Sequence, residues 1–454
     1  MAETSKANLQ NFENNSDKTQ LKRTMNAFQG VMYVIGLVIG SGVFLKPAVV
    51  VRNTGSTGMA LLFWVFGGVI TIAAALTVAE LAAYIPKLGG LYTYLVELYG
   101  EKIGFLFGWV SALINAPGTC GAVSIACATF ATFFLPMTGV EQKMFAVALV
   151  IILVTAQIIS TRYGIVLQTL ATIGKLIPIA AIIVFGLING TTHDISFASV
   201  GHIQGASTAA ALLGVLWAYD GWVTTCTLAS DMKEPEKNIP KAVVIGILVV
   251  MAVYVAFNAA IFNVLPASEV AGSQKIGVDV CSRLFGPAGA AFITAGMMIS
   301  VFGTLNGMLT CGARYTLAMG ERNHLPAPKV LGAINPKLGT PINALIFQGA
   351  VSIIYIMTGT FNSITDLIVF VLWIFFCLGI GGVFILRKRV EHNPKLYHVP
   401  FFPVLPLIGL FGGGYLIFMT FKDNPKNALL GLGITLLGLP VYYYCKKKNY
   451  SDIA

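Results

Sequence analysis

Gly40, Ser41 and Gly42 stand halfway along the apolar run from Tyr33 to Pro47. Glycine costs a helix roughly 1 kcal/mol against alanine, so the triplet predicts a helix interrupted at that point. A half-helix resuming at about Val43 presents unpaired backbone N–H groups and the positive end of its dipole. Such an end seats an anion, for example a carboxylate. A second apolar run, Leu213 to Trp222, carries Asp220-Gly221, and both residue types disfavour helix interiors. Its first half ends near Trp217, Ala218 and Asp220, leaving carbonyls free to accept hydrogen bonds from an ammonium. The two breaks together offer complementary ends to a zwitterion. Gly36 and Gly40 also form a GxxxG pair suited to close helix packing, but packing alone does not account for two breaks in matching places. A nucleotide-phosphate reading of the triplet fails: no strand precedes it and no GxxxxGK[ST] occurs.

Lys175 lies in Ala171-Thr-Ile-Gly-Lys-Leu-Ile-Pro178, about eleven residues into its apolar segment and so near mid-depth at 1.5 Å per residue. A lysine at that depth of a membrane costs about 2.5–3.5 kcal/mol and needs a partner. One reading pairs it with Asp220. The favoured one has its ammonium holding the carbonyls freed by the first break. Trp217 is either ordinary packing or a lid over a ligand. Tyr254 is either core or a hydroxyl reaching the break. Asn115, Pro117 and Asn306 read as helix glue or kinks at depth. Glu80 is either a gate residue or a satisfied carboxylate at the membrane boundary.

These residues must be positioned by membrane-spanning helices. Of 454 residues, 56% are hydrophobic and only 11% charged, with a mean hydropathy of +0.79, whereas soluble domains carry about 25% charged residues. The fold class is therefore all-α and polytopic, embedded in a lipid bilayer. About twelve apolar stretches approach the ~20 residues that a spanning helix needs. They cover 27–52, 58–84, 103–135, 143–160, 164–189, 206–229, 240–265, 287–320, 341–360, 363–386, 401–421 and 427–445.

Net charge is +10, but the basic residues are scattered through short loops, which argues against a nucleic-acid partner. With the N-terminus inside, the inside segments collect Lys87, Lys102, Arg162, Lys233, Lys237, Lys241, Arg322, Arg387, Lys388, Arg389 and the Lys446–Lys448 run. The outside loops carry only Arg52, Lys143, Lys275, Arg283, Lys422 and Lys426. This asymmetry predicts both termini on the cytoplasmic side of a cell membrane.

The breaks fall in spans one and six, the first members of two five-span sets. A pair of interrupted segments at corresponding positions points to an inverted repeat with its site at mid-depth. The expected division is a cytoplasmic tail over 1–24, repeat one over 25–189, repeat two over 206–389, two further spans over 401–446 and a tail over 447–454. Seven cysteines form no CxxC pair and read as small buried hydrophobes. Five histidines fall in predicted loops without metal-ligand spacing, so no metal or cofactor is expected. No His, Cys or paired acids converge at depth, which argues against an enzyme.

Taken together, Ile35-Gly-Leu-Val-Ile-Gly-Ser-Gly-Val-Phe-Leu-Lys-Pro47, Ala79-Glu-Leu-Ala-Ala-Tyr-Ile-Pro-Lys-Leu-Gly-Gly-Leu-Tyr92, Thr169 to Pro178, Leu216-Trp-Ala-Tyr-Asp-Gly-Trp222, Met232 to Pro240 and Asn306-Gly307 carry a resemblance over nearly all of 25–446. The chain resembles the L-type amino acid transporter family of the amino acid–polyamine–organocation superfamily, above all its bacterial serine/threonine exchanger type. That resemblance implies a 5+5 inverted repeat of the LeuT kind. It implies sodium-independent exchange of small neutral L-amino acids such as serine, threonine, alanine and cysteine, by alternating access. It places the substrate carboxylate on the backbone at Ser41 and Gly42 and the amino group on carbonyls at Ile39, Trp217 and Asp220, with Gly40, Val43 and Ala218 also in the substrate site. It makes Trp217 a gate, Lys175 a stand-in for sodium, and Tyr254 a shaper of the cytoplasmic side of the site. Animal relatives join a glycoprotein subunit through a cysteine between spans three and four. The loop Leu135 to Lys143 has none, so no disulfide-linked heavy subunit is expected. The family's acidic pair after span six appears as Ser230-Asp231, with one acid. Exchange of cationic amino acids or cystine against neutral ones is the alternative within the family, because Asp220 can face a cationic side chain. A channel or an amino acid sensor is the alternative outside it.

Overall fold

The computed structural model describes residues 23–159, 161–198, 206–273, 275–359 and 361–451. The expected N-terminal tail lies outside the described residues up to residue 22, and so do residues 452–454 of the C-terminal one. The described chain is helical, with no strand among the described residues.

Helix α1 (Ala27–Val38) opens on a reciprocal capping box between Asn26 and Gln29 and stops where Gly40, Ser41 and Gly42 stand. Helix α2 (Gly42–Thr54) resumes at a 43° bend. The following helices are α3 (Thr57–Tyr84), α4 (Leu91–Tyr99), α5 (Glu101–Ala131), α6 (Gly139–Ile159) and α7 (Thr161–Asn189). Helix α8 (Thr208–Ala218) ends at the second break, and a tight 3₁₀ run, Thr224–Ser230, continues it. Then come α9 (Pro235–Val264), α10 (Ala267–Gly272), α11 (Ile276–Glu321), α12 (Ile342–Thr358), α13 (Phe361–Arg389), α14 (Val404–Asp423), α15 (Pro425–Leu436) and α16 (Gly438–Ser451).

Among the described residues, nine helices are long and apolar enough to cross a membrane, or ten if the bent pair α1–α2 counts as one span. Helices α8 and α12 are apolar but shorter. The chain is thus a polytopic helical membrane protein.

The structure adds elements that apolar run length did not predict. Helix α4 lies between spans two and three. The stretch between spans seven and eight, read as loop, holds α10 and the first part of α11, which turns at Gly286 with φ 67°, a conformation glycine adopts without steric cost. The last helix runs to Ser451 rather than ending near 446. These segments are short or rich in polar residues, so they carry no spanning signal. Helix α5 widens into a π-helical turn at Ser111–Asn115. Pro117 has no N–H to offer the carbonyl four residues back, and that carbonyl, Leu113 O, accepts the Tyr355 hydroxyl at 3.1 Å instead.

Hydrogen bonds define two ends of the bundle. At one end Gly58 N–H donates to Ser196 O, Ser207 N–H to Asn53 Oδ1, and the Arg52 guanidinium to Ala271 O. At the other, Met25 pairs through its backbone with Asp231 and Lys233, and Tyr84 accepts from Asn393 N–H. Arg314 closes this Met25 end by donating twice to Asp231, 3.0 Å each, with both side chains buried. Removing one partner of a buried pair leaves an uncompensated charge. Arg314→Met is therefore expected to destabilise the fold by about 3–5 kcal/mol, and Arg314→Met with Asp231→Leu to recover most of it, as read by thermal unfolding in detergent.

His324 sits just past α11, its Nδ1 2.8 Å from the Tyr92 hydroxyl and its ring against Phe105 and Tyr442. Burial pushes its imidazole down to about 4, with Glu101 pulling the other way. The unfolded chain takes that proton near pH 6.5, the folded chain only near 4. This contribution is complete above about pH 6.5 and is lost as pH falls toward 4. The melting temperature of His324→Gln is expected to fall less between pH 7 and pH 5 than that of the unsubstituted protein.

Candidate functional site

The two breaks face each other. A Cβ on Gly42 would lie 2.7 Å from Ala218 Cα, so the start of α2 and the end of α8 touch backbone to backbone. The first amides of α2 have no intrahelical acceptor. Ser41 O is already taken by Phe44 and Leu45 N–H, at 3.2 and 3.0 Å. On the other side, α8 unwinds through Gly221, whose φ of 112° requires glycine. Gly40, Ser41, Gly42, Trp217 and Asp220 line one cavity. A water-sized sphere can move its centre through only about 20 Å³ of it, room for a water rather than an amino acid, so the walls must part to admit one.

Tyr254 of α9 joins the breaks. Its hydroxyl lies 2.8 Å from both Val38 O and Ala218 O, and its ring packs edge-on against Trp64. Both sequence readings for Tyr254 hold in the geometry: its ring is buried in the core and its hydroxyl reaches the break.

Lys175 is buried and does not bond Asp220. Its ammonium donates to Gly36 O at 2.8 Å, Ile39 O at 2.5 Å and Thr304 Oγ1 at 3.3 Å. Ser300 Oγ donates to Ile39 O at 3.2 Å, and Thr304 Oγ1 lies 3.2 Å from Gly36 O. The carbonyls that α1 leaves unpaired at its end are thus gathered around one lysine amine supplied by α7. Asp220 is half-buried, and its Oδ1 is shielded from solvent without a protein partner, as is the Ser41 hydroxyl.

Gly36 serves packing: a Cβ there would meet the Thr172 hydroxyl at 2.2 Å and Gln168 at 2.3 Å. The packing and broken-helix readings of this segment hold together. Asn306 is glue, as expected: it accepts from Gln157 at 2.9 Å and donates to Gly164 O and Gln168. Asn115 accepts weakly from Thr119, at 3.4 Å.

Ile39 to Val43, Trp217, Ala218, Asp220, Lys175 and Tyr254 therefore converge from four helices. Sequence reasoning missed the opposite wall. Thr119 and Val123 of α5 and Thr304 and Met308 of α11 complete the cavity. Ser300, Thr304 and Met308 are spaced four apart, as are Thr119 and Val123, which puts each set on one helix face. A hydroxyl stripe at that spacing was the available signal.

A family model described as amino acid permease matches residues 25–436. The chain is 38% identical over 433 residues to the serine/threonine exchanger SteT of Bacillus subtilis, covering 95% of this chain and 98% of that one. It is 31% identical over 436 residues to the human cystine/glutamate transporter, covering 94% and 86%. It is 30% identical over 436 residues to the human b(0,+)-type amino acid transporter 1, covering 94% and 88%. These relatives are transporters, not enzymes.

Proposed function

The chain belongs to the amino acid permease family, and on that premise we propose that it is a sodium-independent exchanger of small neutral L-amino acids, such as serine, threonine, alanine and cysteine, working by alternating access. The observation that carries the reading is Lys175 among the oxygens of Gly36, Ile39 and Thr304. Oxygen ligands so arranged are what a hard monovalent cation needs. Here a covalently attached ammonium fills them, so the first break stays open without a bound ion.

The substrate carboxylate docks on the amides of Ser41, Gly42 and Val43, at the positive end of α2. The ammonium goes to the carbonyls of Trp217 and Asp220, with that of Ile39 shared with Lys175. Trp217 closes over the ligand. Twelve spans in two inverted five-helix repeats, 25–189 and 206–389, provide the frame. The Met25 end, which carries Lys233, Arg314 and Arg322, is cytosolic.

Counterflow in proteoliposomes tests this. Uptake of labelled serine is expected to need internal amino acid and to be the same in sodium and choline buffers. Uptake that is equally fast without internal amino acid sinks the exchange reading, and sodium dependence sinks the role given to Lys175.

The buried, unpartnered Asp220 Oδ1 favours a second reading, exchange of cationic amino acids or cystine against neutral ones. Competition of arginine and cystine against labelled serine separates the two.

A further inference from the structure

Glu80 is the acid that the exchange site leaves unused, and it is the only charged residue of α3. Its side chain is 1% exposed yet fully engaged. Arg387 donates to it twice, Nε to Oε1 at 2.7 Å and a terminal nitrogen to Oε2 at 2.8 Å. The N–H of Val399 donates to Oε2 at 2.7 Å. One turn further along, the Tyr84 hydroxyl accepts from Asn393 N–H at 3.1 Å, and the Tyr84 and His398 rings meet edge to face. Arg387 also lies over the Phe402 ring, 3.9 Å from its centre. Glu80 and Tyr84 are neighbours on one helix face, so the 390–403 segment between α13 and α14 wraps a single stripe of α3.

A carboxylate at this depth needs a partner for its own sake. Stability alone does not call for one, since an apolar residue of similar size in place of each member is often as stable. The bodies that the pair connects are more telling. Helix α3 is fastened to the broken elements: Tyr219 donates to Trp64 O at 3.1 Å, and the Trp64, Tyr219 and Tyr254 rings form a cluster with centres 5.0–6.1 Å apart. Helix α13 packs on α5 through Phe375 on Phe107, and it reaches the second break only past the unwound turn, through Phe376 on Trp222. Glu80 ties α3 to α13 at the Met25 end, the end that Asp231 and Arg314 also close.

The geometry points to Glu80 as a positioning residue for exchange. Acting through Arg387 and the 390–403 segment, it holds α3 and the broken helices packed on it in the arrangement closed at the Met25 end. This rests on the exchange reading above. If α3 shifts against α13 to open that end, the pair must stretch or drag the segment with it. Without the charge, the open arrangement gains in population, and substrate binds more readily from that face.

The test uses the full chain reconstituted in liposomes, with L-serine varied on one face at a time. Melting temperatures are measured alongside. Glu80→Gln is expected to lower the half-saturating serine concentration at the Met25 face relative to the other face by about fivefold or more. The charge swap Glu80→Arg with Arg387→Glu is expected to move the ratio back toward the original. Tyr84→Phe keeps the ring but gives Asn393 N–H no acceptor, and is expected to shift the ratio the same way by about twofold. Should Glu80→Gln fail to fold, Tyr84→Phe decides the matter. An unchanged ratio in the variants, whatever happens to the melting temperature, overturns the proposal. If the unsubstituted chain exchanges no amino acid, the functional reading fails and this one falls with it.

Discussion

Gly42→Ala is expected to reduce exchange by about 100-fold while the chain still inserts in the membrane. The added Cβ would sit 2.7 Å from Ala218 Cα and 2.9 Å from its Cβ, distances real contacts do not reach. The first obstacle is backbone, so no side-chain rotation relieves it. Helices α2 and α8 must separate, and the amides and carbonyls proposed to hold the two ends of a substrate separate with them. A misplacement of about 1 Å in a reacting or binding geometry can cost about 10²-fold. Gly414→Ala is the matched control, because nothing lies within 4 Å of its new Cβ. That variant is expected to exchange normally and to melt slightly higher, since alanine is the better helix former. Equal loss in both variants would show that the Gly42 contact does not set the site.

The second large effect is expected at Lys175. Methionine matches its length and removes its charge, leaving Gly36 O and Ile39 O with only the Thr304 and Ser300 hydroxyls as neighbours. Charge-assisted hydrogen bonds are about twice as strong as neutral ones, and two carbonyls lose one each. Lys175→Met is expected to slow exchange at least about tenfold, the cost of about 1.4 kcal/mol in a barrier, and to alter the balance between the two faces. Lys175→Arg should not restore it, because a planar guanidinium cannot point one compact charge at two carbonyls. Unchanged kinetics at both faces would remove Lys175 from the mechanism.

What the sequence announced was what carries a local cost. Gly40-Ser41-Gly42, Asp220-Gly221 and Lys175 each violate the rule for an apolar spanning helix, and each stands at the site. What it concealed carries no such cost. Thr304 bonds Ser300 O within its own helix, as a hydroxyl on a buried helix readily does, so its position looks ordinary until α1 is placed beside it. The partners of Lys175 and Glu80 lie more than a hundred residues away in the chain, and spacing holds no record of such pairs. Lys175 and Asp220 sit at similar depth, which alone is compatible with a pair between them. Depth fixes the height of a residue, not the direction in which its helix presents it, and Lys175 is presented to α1. Helix α4 escaped for a related reason: apolar run length detects spans and passes over a nine-residue helix.

The Tyr254 hydroxyl has one proton and two carbonyl neighbours, Val38 O and Ala218 O, each 2.8 Å away. It can satisfy only one at a time. If the half-helices part, the proton stays with one acceptor, and the tally of hydrogen bonds made by that hydroxyl is the same before and after. In mechanical terms the contact is a bearing rather than a rivet: it aligns two surfaces while adding little to the work of sliding them.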